Sequence, residues 1–283
     1  SWSRTPYPVA GTGSKKTPCG SGRFQKRTGT ATGATDPRMG KLALLWDGAW
    51  LRWAMPHESQ ARQREISRAD MVPEVLTALR NQVGAGSDVV CAEWGASTTL
   101  IPTELNDGQH QDVLVGAHAR QHGPTSQEGV RVEAFNRGGT RCHMVTSGDP
   151  MWSNHISKVF PQAQVTSMAS VMSREAIRLS QTQPEDAWVF RVHMGDQGMH
   201  AAAAAGQVLQ WEQHVQAGCT SEDALYAMVN ACHRSGAEVK DATVVWSGDA
   251  QRTQGWSPFL TLTAAQPQAA DGGWGVVLNL MRG

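Results

Sequence analysis

The chain has 283 residues, of which 40% are hydrophobic and 18% are charged, which is typical of a folded globular protein and excludes a largely disordered one. Its 25 basic residues balance its 25 acidic residues, so no net charge draws the chain to nucleic acid or to an anionic membrane, and neither is expected as a partner. Because no stretch has the length of a transmembrane helix or the pattern of a secretory signal, and the cysteines form no CxxC pair, we expect a cytoplasmic protein with reduced thiols.

Residues 1–38 differ in composition from the rest of the chain. They are rich in Gly, Thr, Ser, Pro, Lys and Arg, contain one acid, Asp36, and show no apolar periodicity. This composition predicts a disordered basic tail. Since a strand pattern begins directly after Met39, we hypothesise that Met39 is the natural start and that the tail is upstream sequence. A basic targeting leader is the alternative.

The first predicted elements are a hairpin, a helix and a strand. Asp47 and Gly48 stand between two apolar runs, and an Asp-Gly pair in that position predicts a tight hairpin turn with positive φ at both central positions. Apolar residues at helical spacing over residues 72–83 predict a helix, with Asp70 as its cap. An apolar run over residues 88–94 predicts the next strand.

A second hairpin and two helices are predicted further along the chain. The hairpin covers residues 130–146 and turns at Gly138 and Gly139. Asp149, which precedes a proline, predicts the start of one helix, and apolar spacing over residues 168–179 predicts another.

Residues 189–215 require a choice between helix and strand. The five alanines at 201–205 favour a helix by propensity, but Gly198 and Gly206 limit them to a segment too short to be stable alone. The flanking residues alternate between apolar and polar with a period of two, which is typical of half-buried strands. We therefore predict a three-stranded meander, in which the small alanines mark the close approach of another element.

A helix and a strand are predicted after the meander. Thr220 and Asp223 have the spacing of a capping box, and Gly236 is placed to end the helix that begins there. Residues 242–246 predict the following strand. A β-unit followed by a helix and a strand thus occurs twice, which predicts two α/β lobes with a cleft between them.

The predicted division of the chain is a tail at 1–38, an N-terminal lobe at 39–182 and a C-terminal lobe at 183–283. This organisation resembles the fold of actin, hexokinase and the Hsp70-type ATPases, an α/β fold in which two ribonuclease-H-like lobes with mixed sheets clasp a nucleotide.

Three groups of residues carry a closer resemblance. They are TTLIPTEL at 98–105, EAFNRGGTRCHMVTSGDPMWSNHISKVFP at 133–161, and the succession of VFRVHMGDQGMH, SEDALYAMVNACHRSG and VVWSGD between 189 and 249. In their order and spacing they resemble an uncharacterised bacterial family with an actin-like ATPase fold, known mainly from Bacteroidota.

The resemblance implies a nucleotide site with Mg-ATP as its possible cofactor. In the superfamily, two hairpin turns cradle phosphates, an acidic residue in each turn holds Mg²⁺, and a glycine turn packs on the adenosine. Carried over to this chain, the implied residues are Asp47 (also for Mg²⁺) and Gly48 in the first turn, His193, Met194, Gly195, Asp196 and Gly198 in or beside the second, and Ser247 and Gly248 in the adenosine turn.

Several residues depart from the superfamily pattern. His193 stands where the second turn should place its acid, and imidazole is a poor ligand for Mg²⁺. Trp50 is bulky where a small or hydroxyl residue is usual, and Gly248 is the only glycine of the adenosine pair. These departures predict that metal-assisted hydrolysis is weakened or lost.

The resulting hypothesis is a degenerate actin-like ATPase that serves as a cytoplasmic scaffold or regulatory binding protein for an unknown protein partner. The alternative is a functional ATP-binding protein with slow or no hydrolysis, which acts as a nucleotide-dependent switch. A small-molecule kinase ranks third, because no candidate base is placed beside a substrate pocket.

His110, His118 and His122 offer a metal-site reading, since the last two share one face of a helix if a helix forms. Gly116 and the lack of further ligands at suitable spacing favour solvated loop histidines instead.

Overall fold

The computed structural model describes residues 41–55, 58, 60–66, 72–84, 86–105, 111–124, 129–137, 140–195, 198–215, 218–265 and 273–282. All of them belong to one compact unit, residues 36–283. The predicted tail and start at Met39, the Asp70 cap, the Gly138-Gly139 turn, His110 and Asp196 lie outside the described residues.

Eight strands and four helices make up the first part of the described chain. In chain order they are β1 (Leu42–Trp46), β2 (Trp50–Ala54), β3 (Arg62–Glu65), α1 (Val72–Val83), β4 (Val89–Glu93), β5 (Ser97–Pro102), α2 (Gln111–His122), β6 (Val130–Arg137), β7 (Thr140–Ser147), α3 (Pro150–Val159), β8 (Gln164–Ser167) and α4 (Met168–Ser180).

The second part contains five strands and two helices. They are β9 (Val189–Gly195), β10 (Gly198–Ala205), β11 (Val208–Val215), α5 (Ser221–Ser235), β12 (Thr243–Gly248), β13 (Thr261–Ala264) and α6 (Trp274–Arg282). Short 3₁₀ segments occur at residues 103–105, 239–241 and 251–256.

The first sheet has the strand order β3-β2-β1-β4-β8. The predicted hairpin joins β1 to β2, and Gly48 adopts a φ of +93°, which a glycine tolerates without strain. The prediction of positive φ at both central residues is wrong for Asp47, which keeps a negative φ while its carboxylate accepts from the Ala49 and Trp50 amides. β4 and β8 continue the sheet in parallel to β1, whereas β2 pairs antiparallel with β1 and β3 pairs antiparallel with β2. On one face, Leu42 and Leu44 pack against α1 and α3, where Trp152 and Ile156 are fully buried. The predicted hairpin, the helix over residues 72–83 and the strand within residues 88–94 are confirmed here.

A three-stranded antiparallel sheet, β5-β7-β6, stands beside the first sheet and is covered by α2. The prediction that His118 and His122 are solvated loop histidines is wrong about the loop, because both lie on α2, although His122 is exposed. His118 on this helix is fully buried and contacts the hydroxyls of Thr99 and Ser147, at 2.9 and 2.7 Å. Since α2 buries only Leu114 and His118, the helix lacks the apolar stripe that reveals a helix in a sequence.

The second sheet has the order β11-β10-β9-β12-β13. The alanine run is the C-terminal part of β10, which pairs antiparallel with both β9 and β11, so the predicted meander is confirmed. Ala202 and Ala204 face α4, while Ala201 and Ala203 face the core beneath α5. All four are buried, and methyl side chains allow α4 to lie close to the strand.

The start and end of α5 confirm two further predictions. The Thr220 hydroxyl accepts from the Asp223 amide, and the Asp223 carboxylate accepts from the Thr220 amide, which completes the capping box. Gly236 ends the helix in the left-handed conformation, with φ +77°. Asp149 likewise caps α3 through the Met151 amide.

Two helices cross between the sheets. α4 follows β8 of the first sheet but packs on β9, β10 and β11, whereas α6 follows β13 of the second sheet but packs on β1, β2 and β4. Between the sheets, a single core cluster joins Leu45 and Trp94 with Met172, Ala202 and Val277. The lobe boundary predicted near 182 stays a prediction. Across the described residues, no helix is long and apolar enough to span a bilayer.

Candidate functional site

The first predicted phosphate turn holds its carboxylate in a closed arrangement. Asp47 Oδ1 accepts from the amides of Ala49 and Trp50, at 2.9 and 2.6 Å, and Oδ2 forms an ion pair with Arg52. The Asp47 side chain has no solvent-exposed surface. Both carboxylate oxygens are therefore occupied by groups of the same hairpin.

Arg52 is fixed between the hairpin and α6. Arg52 is 1% exposed. Its Nε donates to Gln63 Oε1 at 3.3 Å, and its guanidinium lies 4.0 Å from the centre of the Trp274 ring. A guanidinium over an indole face is a favourable cation–π contact, which is stronger when it is desolvated. Arg52 thus carries a buried positive charge at the position where the resemblance implies a metal ion beside Asp47.

Trp274, the first residue of α6, fills the space between the two predicted phosphate turns. Its ring centre lies 4.5 Å from the ring of His193 and 5.0 Å from that of Trp94. A Cβ added to Gly195 would lie 3.0 Å from Trp274 Cζ2, so a side chain there would collide with the indole. The glycine of the second turn therefore provides room for a protein side chain.

Three histidines form a row across the meander, and we call His193, His200 and His214 the histidine row. His193 is the register partner of His200, which is the partner of His214. The rings of His200 and His214 stack at 4.2 Å with an interplanar angle of 2°. His200 Nε2 donates to the Trp94 carbonyl at 2.5 Å. The row thus faces the first sheet through Trp94.

The histidine row is held in the neutral state. Burial, followed by the charges of Arg191 and Arg52, places the pKa of His193 well below its ordinary value. Burial and then His214 do the same to the pKa of His200, and burial lowers the pKa of His214. Each ring also keeps one buried nitrogen without a hydrogen-bond partner in the described part of the chain.

Ser247 links the predicted adenosine turn to the second phosphate turn. Its hydroxyl accepts from Arg191 Nη2 at 2.9 Å and lies 2.9 Å from His193 Nδ1. Because a hydroxyl has one proton and two lone pairs, Ser247 can accept from Arg191 and still bond either tautomer of His193. Burial lowers the pKa of Arg191 to about 10. These side chains form a polar layer beneath Trp274.

The predicted adenosine turn is closed by backbone. Gly248 has a φ of +105°, and a Cβ there would lie 2.0 Å from the Met194 carbonyl oxygen. A Cβ on Gly273 would lie 2.5 Å from the Gly248 amide nitrogen. Gly273, just before Trp274, thus supplies a second glycine at this turn from a distant part of the chain, which allows α6 to begin against β12.

The structure therefore brings together Asp47, His193, Gly195, Ser247 and Gly248, and places Arg52 and Trp274 among them. Gly48 is exposed at the tip of the first turn, and Gly198 begins β10 opposite Gly195. Sequence reasoning missed the roles of Arg52 and Trp274. The apolar residues 274–281 are the signal that could have predicted α6.

A metal site requires several ligand side chains close together. In the described ranges, no three His, Cys, Asp or Glu side chains are grouped so as to hold a metal ion. The His118 and His122 rings lie 4.7 Å apart on α2, but they bind hydroxyls and the Thr98 carbonyl. The metal-site reading of these histidines finds no support.

Comparison with known proteins identifies the fold. The sequence matches no protein-family model and no curated protein. The structure is similar to a protein of unknown function with an actin-like ATPase fold from Bacteroides thetaiotaomicron VPI-5482, with a TM-score of 0.60 and 10% identity over 85% of this chain and 96% of that one. It is also similar to a chain of the PilM–PilN type IV pilus biogenesis complex, with a TM-score of 0.51 and 10% identity over 87% of this chain and 98% of that one.

At 10% identity these similarities establish the fold alone. They confirm the resemblance inferred from residues 98–105, 133–161 and 189–249 at the level of architecture. The protein has the actin-like ATPase fold, an α/β architecture with two sheets of mixed strand orientation.

Proposed function

We propose that the protein is a degenerate actin-like ATPase that acts as a cytoplasmic scaffold or regulatory binding protein. The observation that carries the proposal is the buried ion pair of Asp47 with Arg52, which is covered by the Trp274 ring. The cleft of the fold is thereby filled by the protein's own side chains.

The residues at the first turn do not fit a bound magnesium ion. Mg²⁺ requires oxygen ligands in a near-ideal octahedron, and Asp47 is the acid implied for it. Both of its oxygens are engaged, and the nearest cation is a guanidinium that repels a second positive charge. Breaking this buried ion pair leaves an uncompensated charge, which costs about 3–5 kcal/mol.

The second turn does not fit a phosphate in this arrangement either. The indole of Trp274 contacts Gly195, and His193 takes the position of the expected acid. Trp274 is 5% exposed. A nucleotide would have to displace its side chain together with the start of α6. We infer that the cleft contributes to the stability of the fold rather than to phosphate chemistry.

A role in protein binding is supported by one structural neighbour. The chain of the PilM–PilN complex shares this fold and works in an assembly with another protein. We propose a comparable mode of action here, with a protein partner whose identity is unknown and with no nucleic acid or membrane contact. The lobes at 39–182 and 183–283 would then form one rigid body that presents its outer surfaces.

The alternative function is a nucleotide-dependent switch that binds ATP with slow or no turnover. It is favoured by the presence of the implied residues in the turns of the cleft: Asp47, Gly48, Gly195 and Gly248, with Asp196 and Gly198 beside the second turn in the sequence. In this reading, Mg-ATP would replace Trp274 and Arg52, and Asp47 would hold Mg²⁺.

Calorimetric titration of the full chain with Mg-ATP and Mg-ADP separates the two functions. We expect no heat and no thermal shift at millimolar nucleotide. Micromolar binding corresponds to about 8 kcal/mol, more than a filled cleft would provide. Such binding, lost in Asp47→Asn and retained in the exposed control Asp186→Asn, would overturn the proposal and establish the switch. Circular dichroism of each variant verifies that it is folded.

A further inference from the structure

A large cavity lies outside the cluster around Trp274. Its volume is about 790 Å³, and it is lined by parts of β6, β8, α4 and α6. None of the cleft residues Asp47, Arg52, His193 and Trp274 contributes to its walls. The cavity is therefore separate from the nucleotide cleft of the fold.

The cavity runs along the edges of two strands. Its lining includes the consecutive residues 164–166 of β8 and 131–133 of β6. Successive side chains of a strand point to opposite faces, so a wall made of consecutive residues exposes the strand edge to the cavity. β8 is the outermost strand of the first sheet and β6 that of the three-stranded sheet, as far as the described strands extend.

Side chains connect the two edges at one end of the cavity. The Thr166 hydroxyl donates to Glu133 Oε1 at 3.1 Å, and the Ser170 hydroxyl donates to the same oxygen at 3.0 Å. These bonds position β6 opposite β8. Edge strands normally carry a charge, a proline or a cover that prevents pairing with another chain. β8 has neither a charge nor a proline between Gln164 and Ser167; Thr166 and Ser167 are buried, whereas Gln164 is exposed and Val165 is partly exposed.

The charges of the lining favour an acidic occupant. Four cationic side chains and two acidic ones line the cavity: Lys41, Arg131, Arg174, Arg178, Glu133 and Glu175. Arg174 is paired with Glu133 and Arg178 with Glu175. Arg131 donates to the Ser153 hydroxyl, and its charge is compensated by Glu93 and Glu133. Lys41 forms no ion pair with a carboxylate in the part of the chain that the structure describes, so the excess positive charge of the lining lies at Lys41.

The apolar part of the lining determines the shape of the occupant. Val90, Val171, Leu280 and Met281 line one side of the β8 edge, and Val165 packs toward the opposite face of the sheet. An added strand would place alternate side chains on these two faces. Its apolar side chains would therefore occur at every second position.

We propose that this cavity receives an extended acidic segment of a partner protein, which adds as a strand to the edge of β8. The inference rests on the proposed function as a binding protein, and it specifies the chemistry of the partner. Main-chain hydrogen bonds to Gln164 and Val165 would provide affinity, while Lys41 and the apolar walls would select acidic segments with alternating apolar residues.

Selection from a library of random twelve-residue peptides displayed on phage, with the full chain as bait, tests the proposal. We expect enriched peptides to be acidic with apolar residues at alternate positions, and to slow amide hydrogen exchange in β8. In fluorescence polarisation, Lys41→Glu should weaken such a peptide about tenfold, because it reverses a charge at the rim. Lys240→Glu, an exposed change on the segment 239–241, should have no effect.

Methylation of alternate backbone nitrogens of the best peptide tests the strand pairing. We expect a loss of binding of about tenfold or more, since each methyl group removes a main-chain donor. An absence of enriched peptides, equal binding by Lys41→Glu, undiminished binding of the methylated peptide, or protection only outside β8 would each overturn the proposal. Nucleotide titration is unaffected by these outcomes, so the proposed function stands or fails separately.

Discussion

Replacement of His200 by Gln should change how the stability of the protein depends on pH. His200 is fully buried in the histidine row, and burial places its pKa well below the ordinary histidine value of 6.5. A group whose pKa is lowered by folding stabilises the folded chain above its unfolded pKa, and this contribution is lost as the pH falls below 6.5. Gln cannot take up a proton, and its amide can still donate to the Trp94 carbonyl.

The size of the effect follows from proton linkage. Between pH 7 and pH 5, the unfolded chain takes up a proton on His200 while the folded chain does not. On acidification from pH 7 to pH 5, the free energy of unfolding of the natural protein should therefore fall by about 2 kcal/mol more than that of the variant. Glu212 acts in the opposite direction, because burial raises its pKa to about 7, but Glu212 is present in both proteins and cancels in the comparison.

Urea unfolding followed by circular dichroism at both pH values measures the difference. His233→Gln, an exposed change on α5, is the matched control and should follow the natural protein. If His200→Gln and the natural protein lost equal stability on acidification, the imidazole would be protonated in the folded state, and the neutral histidine row would be refuted.

Three further changes test other parts of the structure. Asp47→Asn should lower the free energy of unfolding by about 3–5 kcal/mol, because Arg52 would keep its buried charge without a partner; a thermal midpoint equal to that of the natural protein would contradict this. Ala202→Leu should destabilise the protein by about 1–3 kcal/mol in urea unfolding, since α4 leaves no room above β10, while the partly exposed Ala205→Leu should cost less. Thr220→Ala should remove about 1 kcal/mol through loss of the capping box, measured in the same way.

Much of the fold could be predicted because local signals agreed with the tertiary structure. The Asp47-Gly48 turn, the period of two around residues 201–205 and the capping box at Thr220 each specify a conformation through neighbouring residues. The alanine run shows the limit of propensity, since burial beneath α4 and α5 outweighs the preference of alanine for a helix.

The parts that could not be predicted depend on contacts between distant residues. α2 buries too few apolar side chains to show a pattern, and β3 is exposed at all four positions. The same limit applies to the site. Nothing near Asp47 in the sequence indicates that Trp274 packs on Arg52, more than two hundred residues away in the chain. The packing of Gly273 against Gly248 is another contact that the neighbouring sequence does not indicate.

The crossing of α6 to the first sheet has a consequence for biosynthesis. β1 and β2 leave the ribosome well before the helix that covers their inner face, because α6 follows β2 by more than two hundred residues. Leu45 packs in one cluster with Val277 and Leu278, so the nascent first sheet exposes part of an apolar surface until α6 has been made. Loss of α6 should therefore damage β1 and β2 first, and nascent chains should depend on chaperones until α6 has been made.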